Sequence, residues 1–247
     1  MNLIIPMAGL GTRFSQSGFT LPKPLIMVDD KPMYRYAVDS MPIHLASKLI
    51  FIMRTNEFTD AIKSDIEKHY NHLANCFIVE LDYETEGQAE TVLKSASLLN
   101  LDQPALIHNC DTYIKPLFDW NSLIESPIDG AVVLFPSKEQ RWSYAKLGDN
   151  NTRVTEFKEK QVISSHASTG TYFFNNTKKL LDNIKWIMTK NLRENNEFYL
   201  STIYQKMLNE HELIIPLWTK EMLCFGTPED LVNSLNYLLK KRNKNDR

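Results

Sequence analysis

The first 135 residues alternate between short apolar runs and longer stretches of mixed polarity. The apolar runs are too short for buried helices and are bounded by turn-forming residues, so they predict buried β-strands. These strands are placed at residues 3–5, 49–53, 77–81, 105–108 and 131–135. Between them, helices are predicted at residues 57–69, 88–99 and 117–124, and Ile62 and Ile66 share one face of the first.

The pattern changes after residue 135. Residues 137–153 are polar and rich in turn formers. Beyond them, strands are predicted at residues 154–158 and 171–174, and helices at residues 178–188 and 199–208. A last helix starts at Thr227-Pro228-Glu229-Asp230, because Thr227 can cap it, Pro228 fits its first turn and the acidic side chains favour the positive end of its dipole. We expect this helix to run to Leu239.

Strands that alternate with helices favour an α/β fold, here a single Rossmann-like, three-layer α/β/α domain with a mostly parallel central sheet. No linker is long enough to separate two domains, so residues 1–247 are predicted to form one unit. Residues 1–135 form its first half, residues 136–239 add a wall to a ligand site, and residues 240–247 are a basic tail. Ligands of such sheets bind beyond the carboxyl ends of the strands.

Composition and charge narrow the class of protein. The chain has 43% hydrophobic and 23% charged residues, as ordinary globular proteins do, and its net charge of -2 gives no general attraction to nucleic acid. The cations at the carboxyl end indicate a solvated, frayed tail: Lys240, Lys241, Arg242 and Lys244. Three cysteines without paired spacing favour reduced thiols and a cytoplasmic location. No apolar run approaches the roughly 20 residues that cross a bilayer, and no signal peptide is expected.

The strongest chemical signal is a glycine loop after the first strand. Its sequence is Ala8-Gly9-Leu10-Gly11-Thr12-Arg13-Phe14, and Leu21-Pro22-Lys23-Pro24-Leu25 follows shortly after. A glycine loop exposes amide groups that can bind phosphate oxygens, and two fixed cations can spread the charge of a triphosphate. There is no Gly-Lys-Ser/Thr ending, and Phe14 stands where a dinucleotide fingerprint has its third glycine, so both rival phosphate loops are excluded. The alternative for each glycine is a simple turn.

Gly9-Leu10-Gly11-Thr12-Arg13 with Pro22-Lys23-Pro24 resembles the signature of the sugar-phosphate nucleotidyltransferase family. That family includes hexose-1-phosphate thymidylyl-, uridylyl- and cytidylyltransferases and phosphocholine cytidylyltransferases of bacterial surface-polysaccharide pathways. The resemblance covers nearly the whole chain. It continues through Glu86-Gly87-Gln88-Ala89 (the base loop), Asn109-Cys110-Asp111 (the metal-binding strand end), Glu159-Lys160 with Thr169-Gly170-Thr171-Tyr172 (the acceptor segment), and Phe225-Gly226-Thr227-Pro228-Glu229-Asp230 (the last turn and helix).

The resemblance implies transfer of a nucleoside monophosphate to a small phosphate ester with release of pyrophosphate. Arg13 would hold the triphosphate, Lys23 would bridge the two substrates' phosphates and Asp111 would bind Mg²⁺. The nucleotide-binding half would contribute Ala8, Gly9, Leu10, Gly11, Thr12, Asp82, Gly87 and Gln88, and the acceptor-binding half Tyr144, Glu159, Lys160 and Gly170. Two simpler interpretations remain open: a solvated charge run for Glu159 and Lys160, and a turn-forming aspartate for Asp111.

Two departures from the family pattern affect the metal and the acceptor. Relatives usually carry a second metal-binding aspartate where this chain has Cys224, and a thiol is a poor Mg²⁺ ligand. Either another carboxylate serves, or Asp111, water and the phosphates hold the ion. Hexose-binding relatives often have Tyr-Gly where this chain has Tyr144-Ala145, so the acceptor is predicted to be a phosphocholine-like or amino-acid-derived phosphate.

The base is predicted to be cytosine, with CTP as donor. Thymidylyl and uridylyl relatives commonly have a glutamine five residues before the base-loop glycine, where this chain has Asp82. An ionised aspartate only accepts hydrogen bonds, and cytosine offers an amine donor; the alternative is a strand-end aspartate in solvent. Other functions stay open: a hexose-1-phosphate thymidylyl- or uridylyltransferase, a glycosyltransferase with a similar nucleotide-binding half, and a catalytically silent nucleotide-binding module. The sequence permits an oligomer.

Overall fold

A computed structural model describes residues 1–245. Its strands are β1 (Asn2–Met7), β2 (Met27–Val28), β3 (Lys31–Pro32), β4 (Lys48–Arg54), β5 (Cys76–Leu81), β6 (Ala105–His108), β7 (Thr112–Pro116), β8 (Gly130–Pro136), β9 (Tyr144–Leu147), β10 (Val154–Lys158), β11 (His166–Phe174) and β12 (Ile214–Cys224). Its helices are α1 (Thr12–Gln16), α2 (Met33–Asp39), α3 (Thr59–Tyr70), α4 (Gln88–Leu93), α5 (Trp120–Ile124), α6 (Thr177–Thr189), α7 (Leu200–Asn209) and α8 (Pro228–Asn245).

One large sheet organises the chain, with the strand order β5-β4-β1-β6-β11-β8-β12-β7 and with β9 and β10 attached beside β11. Strands β5, β4, β1 and β6 pair in parallel, as do β8 and β12. Strand β11 is antiparallel to β6 and β8, and β7 is antiparallel to β12. Six of these eight strands therefore share one direction, and the predicted α/β fold with a mostly parallel sheet is confirmed. The carboxyl ends of β1, β5 and β6 meet at one edge.

The core lies on both faces of this sheet, because successive side chains of a strand point to opposite sides. In β1, Ile4 packs in one buried cluster with residues of α6 and α7, while Leu3 and Ile5 pack in another with residues of α2 and α3. Ile62 and Ile66 of α3 are buried in the second cluster, as their spacing predicted. The result is the expected three-layer arrangement.

Several elements differ from the sequence predictions. Strands β7, β9 and β12 were not predicted, and β12 contains Pro216, which normally argues against a central strand. The helix predicted to reach residue 99 ends at Leu93, where the hydroxyl of Ser95 bonds the carbonyl of Val92 and competes with the backbone pattern.

The last helix runs past Leu239 to Asn245, so the basic segment is helical over 240–245. Lys241 lies 2.7 Å from Glu221 of β12, and Arg242 forms an ion pair with Asp29. Residues 246 and 247 lie outside the described part of the chain. Over residues 1–245, no helix is long and apolar enough to cross a membrane, and all three cysteines are free thiols.

His108, at the end of β6, is expected to make stability depend on pH. It is fully buried, its ring contacts the Thr171 hydroxyl at 2.8 Å and the Thr112 carbonyl at 2.7 Å, and burial lowers its pKa from 6.5 to about 4. Between these two values the unfolded chain binds a proton that the native protein does not, so stability falls on acidification. We expect His108 to contribute a loss of about 2 kcal/mol in the free energy of unfolding from pH 7 to pH 5.

Denaturant titrations at both pH values check this expectation. His108→Gln keeps an amide donor for the Thr112 carbonyl and removes the titrating group. The free energy of unfolding of this variant should therefore fall by about 2 kcal/mol less than that of the wild type between pH 7 and pH 5. An equal change in both proteins would contradict it.

Candidate active site

A cavity of about 500 Å³ opens at the sheet edge where β1, β5 and β6 end. It is lined by the loop 8–12, by Lys23 and Pro24, by residues 84, 85, 87, 88 and 91, by residues 109–111, and by Glu197 and Tyr199. The structure thus brings together Ala8, Gly9, Leu10, Gly11, Thr12, Lys23, Gly87, Gln88 and Asp111 from the predicted site. Segments that are far apart in sequence meet here because parallel strands end at the same edge.

The glycine loop is shaped to approach Lys23. Gly11 has a φ of 65°, and its carbonyl accepts a hydrogen bond from Phe14 at 2.9 Å, which starts α1. Phe14 is buried and anchors that turn. A Cβ atom on Gly11 would lie 3.0 Å from the Lys23 Cβ, so both the backbone angle and the close approach favour glycine.

Lys23 forms an ion pair with Asp111 on the cavity wall. Burial alone would raise the pKa of Asp111, but the Lys23 ammonium outweighs it, so this pKa lies below its ordinary value. Burial would also lower the pKa of Lys23, but the Asp111 carboxylate outweighs that effect and raises it. Both groups are therefore charged at neutral pH. Asp111 is held in place because its carbonyl accepts a hydrogen bond from Phe225 at 2.8 Å.

Cys224, the last residue of β12, lies beside Asp111. A Cβ on Gly226 would lie 3.3 Å from both Asp111 Oδ2 and Cys224 Sγ, so glycine lets the turn after this strand pack against Asp111. Burial, together with the carboxylates of Asp111 and Asp230, raises the pKa of the Cys224 thiol well above its ordinary value. The thiol stays protonated, lies 3.6 Å from Asp230 and is unsuited to bind Mg²⁺.

Asp230, which lies 3.6 Å from the Cys224 thiol, has both of its oxygens bound by other side chains. Arg141 donates to both of its oxygens, at 2.6 and 2.8 Å, and the Thr227 hydroxyl donates at 2.8 Å. Within residues 1–245, no three His, Cys, Asp or Glu side chains are placed to hold a metal together. Of the three carboxylates that line the cavity, Glu84, Asp111 and Glu197, Asp111 is the one that follows the end of β6 and pairs with Lys23.

The base loop is fixed by close backbone contact with the segment before α7. The Phe198 amide donates to the Glu86 carbonyl at 2.7 Å, and the Ala89 amide donates to the Phe198 carbonyl at 2.9 Å. Asp82 is exposed and does not line the cavity, whereas Glu84 and Thr85 do. The predicted contact of Asp82 with a base is therefore not supported by its position, because the strand end turns its side chain to solvent.

Gly87 is expected to be required for stability. It has a φ of 122°, and a Cβ there would lie 2.6 Å from the Phe198 nitrogen and 2.7 Å from its oxygen. Backbone atoms cannot move aside cheaply, so Gly87→Ala should lower the free energy of unfolding by at least about 2 kcal/mol. Gly9→Ala is the matched control, since nothing lies within 4 Å of the added atom, and it should change stability by less than about 0.5 kcal/mol. Denaturant unfolding decides this, and equal effects would contradict it.

The predicted acceptor residues are divided between two layers. Lys160 is exposed, and its ammonium donates at 2.7 Å to the hydroxyl of Tyr199, which lines the cavity. Glu159 is buried behind it, accepts hydrogen bonds from Ser143 and Ser201, and has a pKa raised by burial. Glu159 lines a separate cavity of about 300 Å³ between β10 and the helices α6 and α7.

Three further predicted residues lie away from the main cavity wall. Tyr144 is completely buried, and its hydroxyl donates to the Glu139 carbonyl at 2.7 Å, so it cannot contact an acceptor in this arrangement. Gly170 is buried with a φ of 79° and packs against the Asn109 amide. Arg13 is exposed and lines an adjoining cleft with Arg141 and the start of α8.

The structure adds cavity residues that sequence reasoning missed. Glu197 and Tyr199 precede α7, and their position depends on backbone contacts of Phe198 that no local pattern reveals. Asn109 had been placed in a family motif without a role of its own. Its amide accepts a hydrogen bond from Gln88 at 2.6 Å, which joins two segments of the wall.

Residues 3–241 match the family described as Nucleotidyl transferase, and the chain belongs to that family. It is 28% identical over 254 residues to the bifunctional protein GlmU of Thermodesulfovibrio yellowstonii, covering 96% of this chain and 52% of that protein. The chain spans about half the length or less of the curated relatives it matches.

Solved structures agree with this assignment. The nucleoside-diphosphate-sugar pyrophosphorylase from Vibrio cholerae RC9 has a TM-score of 0.84 and 26% identity, over 95% of this chain and 99% of that one. A UDP-glucose pyrophosphorylase in complex with UDP-glucose has a TM-score of 0.78 and 16% identity, over 97% and 98%. The second likeness shows the shared fold.

Proposed function

We propose that this protein transfers a nucleoside monophosphate from a nucleoside triphosphate to a small phosphate monoester and releases pyrophosphate. The observation that carries the proposal is the convergence of the glycine loop, Lys23 and Asp111 on one cavity. In-line attack brings two anions together, so the site must neutralise charge and align the phosphates. Loop amides and a fixed ammonium supply these functions.

In this proposal Lys23 moves from Asp111 to the phosphates as substrate enters. Its ammonium stabilises the charge that spreads over the transferred phosphoryl group. The amides of residues 8–12 bind the triphosphate oxygens, and Arg13 at the rim binds the pyrophosphate end.

The donor set of the cavity fits Mg²⁺ held by a single protein carboxylate, because this ion is commonly bound by one or two carboxylates together with substrate phosphates. Asp111 would be that ligand, because the neighbouring Cys224 offers only a thiol, which is a poor Mg²⁺ ligand. When bound, Mg²⁺ would neutralise phosphate charge and fix the geometry of the phosphates. Asp111 would hold the ion, and the hydrogen bond from the Phe225 amide to the Asp111 backbone carbonyl, with the close packing of Gly226, keeps this residue in place.

We propose CTP as the preferred donor, with Glu84 as the residue that contacts the base. Glu84 lines the cavity two residues before the base loop. Its carboxylate only accepts hydrogen bonds, which suits the exocyclic amine of cytosine and opposes the carbonyl that uracil and thymine carry there. UTP is the main competitor, since one structurally similar protein is a UDP-glucose pyrophosphorylase.

Competition between triphosphates tests the base assignment. With CTP, UTP, dTTP, ATP and GTP at equal concentration, we expect the CMP product to dominate, and Glu84→Gln to reduce its excess over the UMP product about tenfold. Glu67→Gln makes the same chemical change on the exposed surface of α3 and should not change the ratio. Dominance of the UMP or dTMP product in the wild type would refute the role of Glu84.

The acceptor is proposed to be a non-hexose phosphate monoester, phosphocholine-like or derived from an amino acid. Lys160 and Tyr199 lie where the acceptor phosphate and head group would enter, with Glu197 beside them. Tyr144 and Ala145 are buried, and Ser143 and Glu159 are bonded to each other behind Lys160, so none of the four lines this cavity. A panel of phosphate monoesters tested with CTP decides the class, and a hexose 1-phosphate as by far the best substrate would end this part of the proposal.

A further inference from the structure

Arg141 and Asp230 form an ion pair between the polar loop 137–143 and the start of α8. Arg141 Nη1 and Nη2 donate to the two carboxylate oxygens of Asp230 at 2.6 and 2.8 Å, and Arg141 Nε lies 2.7 Å from Glu139. The Asp230 side chain is only 10% exposed. Two parallel hydrogen bonds fix the relative orientation of the two groups, which a single contact from an ammonium does not. The pair therefore sets the place of α8 relative to this loop.

The loop is itself fixed by the segment 159–160. The Trp142 carbonyl accepts a hydrogen bond from the backbone amide of Lys160 at 3.1 Å, and the Ser143 hydroxyl donates to the buried carboxylate of Glu159. The Arg141 guanidinium lies over the Trp142 ring, 4.3 Å from its centroid. Three successive residues are thus held by three different contacts, and the loop presents Arg141 to Asp230 from a fixed base.

Asp230 connects this fixed loop to the turn after β12. Its Oδ2 atom accepts a hydrogen bond from the Thr227 hydroxyl at 2.8 Å, and the Thr227 oxygen in turn accepts from the Asp230 backbone amide at 3.1 Å. The same carboxylate oxygen lies 3.6 Å from the Cys224 thiol. Both ends of the turn 224–227 are therefore tied to one carboxylate. Burial alone would raise the pKa of Asp230, but the Arg141 guanidinium outweighs it, so this pKa lies below its ordinary value.

The turn 224–227 packs directly on Asp111. The Phe225 amide donates to the Asp111 carbonyl at 2.8 Å. A Cβ on Gly226 would lie 3.3 Å from Asp111 Oδ2 and 3.7 Å from Asp230 Oδ2. The turn thus lies beside both carboxylates, and a shift of α8 would change the contacts that hold Asp111.

We propose that Arg141 is a positioning residue of the active site, which holds Asp111 in its place on the cavity wall through Asp230 and the turn 224–227. This inference rests on the proposed function and deepens it, because Asp111 is the residue that would hold Mg²⁺. Loss of a side chain that orients a metal-binding residue typically lowers metal affinity or activity by about ten- to a hundredfold. A simple brace for α8 would instead lower stability and leave the effect of Mg²⁺ unchanged.

The test measures binding of the α,β-methylene analogues of CTP and UTP by calorimetry, with and without Mg²⁺. These analogues cannot release pyrophosphate, so the readout is independent of turnover. We expect Mg²⁺ to strengthen binding to the wild type, and Arg141→Lys to reduce that gain in affinity about tenfold. Lysine keeps the positive charge beside Asp230 and loses the planar fork, so the loss reports geometry instead of charge. Arg153→Lys makes the same chemical change at an exposed position and should retain the gain.

Asp230→Asn weakens the same pair from its other side. It should reduce the gain by a similar factor, and adding Arg141→Lys to it should change little more, because both act through one contact. Thermal unfolding shows which variants are folded.

A gain from Mg²⁺ equal to that of the wild type in both single variants would overturn the inference while the transferase function stands. Losses that multiply in the double variant, or a larger gain in Arg141→Lys, would also overturn it. A wild type that binds neither analogue, and releases no pyrophosphate with any triphosphate and ester, would overturn the proposed function and this inference with it.

Discussion

Replacing Asp111 by asparagine is expected to lower kcat/KM by about a thousandfold or more at ordinary Mg²⁺ concentrations. The substitution turns the carboxylate that we propose as the Mg²⁺ ligand into a neutral amide of the same shape. The backbone carbonyl of residue 111 still accepts the hydrogen bond from the Phe225 amide in this variant, so the local fold should persist. Pyrophosphate release over a Mg²⁺ titration measures the effect, and thermal unfolding checks the fold.

Cys224→Ala is the matched control for that result. The thiol lies beside Asp111 against the same glycine, but it is protonated and bonded towards Asp230. Its removal should change kcat/KM less than about threefold. Full activity of Asp111→Asn would place the metal elsewhere, and an equal loss in Cys224→Ala would show that the thiol position belongs to the metal site.

Lys23→Ala is expected to reduce turnover by about a hundredfold or more. Removing one preorganised charge contact with a developing anion typically has an effect of that order. The ammonium is half-buried and paired with Asp111, so it already lies on the cavity wall when substrate enters. Loss of Lys23 also leaves the Asp111 carboxylate without its partner, which should raise the pKa of Asp111 and weaken its binding of cations at low pH.

Lys31→Ala provides the comparison, because Lys31 forms an ion pair with Asp39 outside the cavity. It should retain turnover within about twofold. Lys23→Arg should recover only part of the activity, since a planar guanidinium does not replace a compact ammonium at a crowded loop. Turnover near the wild-type level in Lys23→Ala would contradict the role of the lysine.

The nucleotide side of the cavity could be predicted because local rules fix it. Apolar runs set the strands, parallel strands end at one edge, and the loop 8–12, Gly87 and Asp111 each follow such an end. Side-chain direction at those ends could not be predicted. Asp82 and Glu84 are two residues apart in an irregular loop, and only the tertiary contacts with Phe198 put the second one on the wall.

The acceptor side of the site was harder to predict, because the sequence does not fix the direction of its side chains. Tyr144 begins β9, and the sequence does not say which side chains of that strand are turned into the core; the structure buries Tyr144 with its hydroxyl on the Glu139 carbonyl. Strand β12 was not predicted because Pro216 obscured its pattern. The position of Cys224, at the end of that strand, could therefore not be predicted either. The contacts of Tyr199 with Lys160 and of Asn109 with Gln88 join segments from separate elements, which periodicity does not report.

The most direct test of the account is a screen for pyrophosphate with the purified wild-type protein, Mg²⁺, five nucleoside triphosphates and a panel of phosphate monoesters. The account predicts pyrophosphate only when a triphosphate and a phosphate monoester are present together, in equal amount to a nucleoside-diphosphate-linked product identified by mass, and none with Asp111→Asn. Absence of pyrophosphate in every combination, or release of inorganic phosphate and a nucleoside diphosphate in its place, would contradict it.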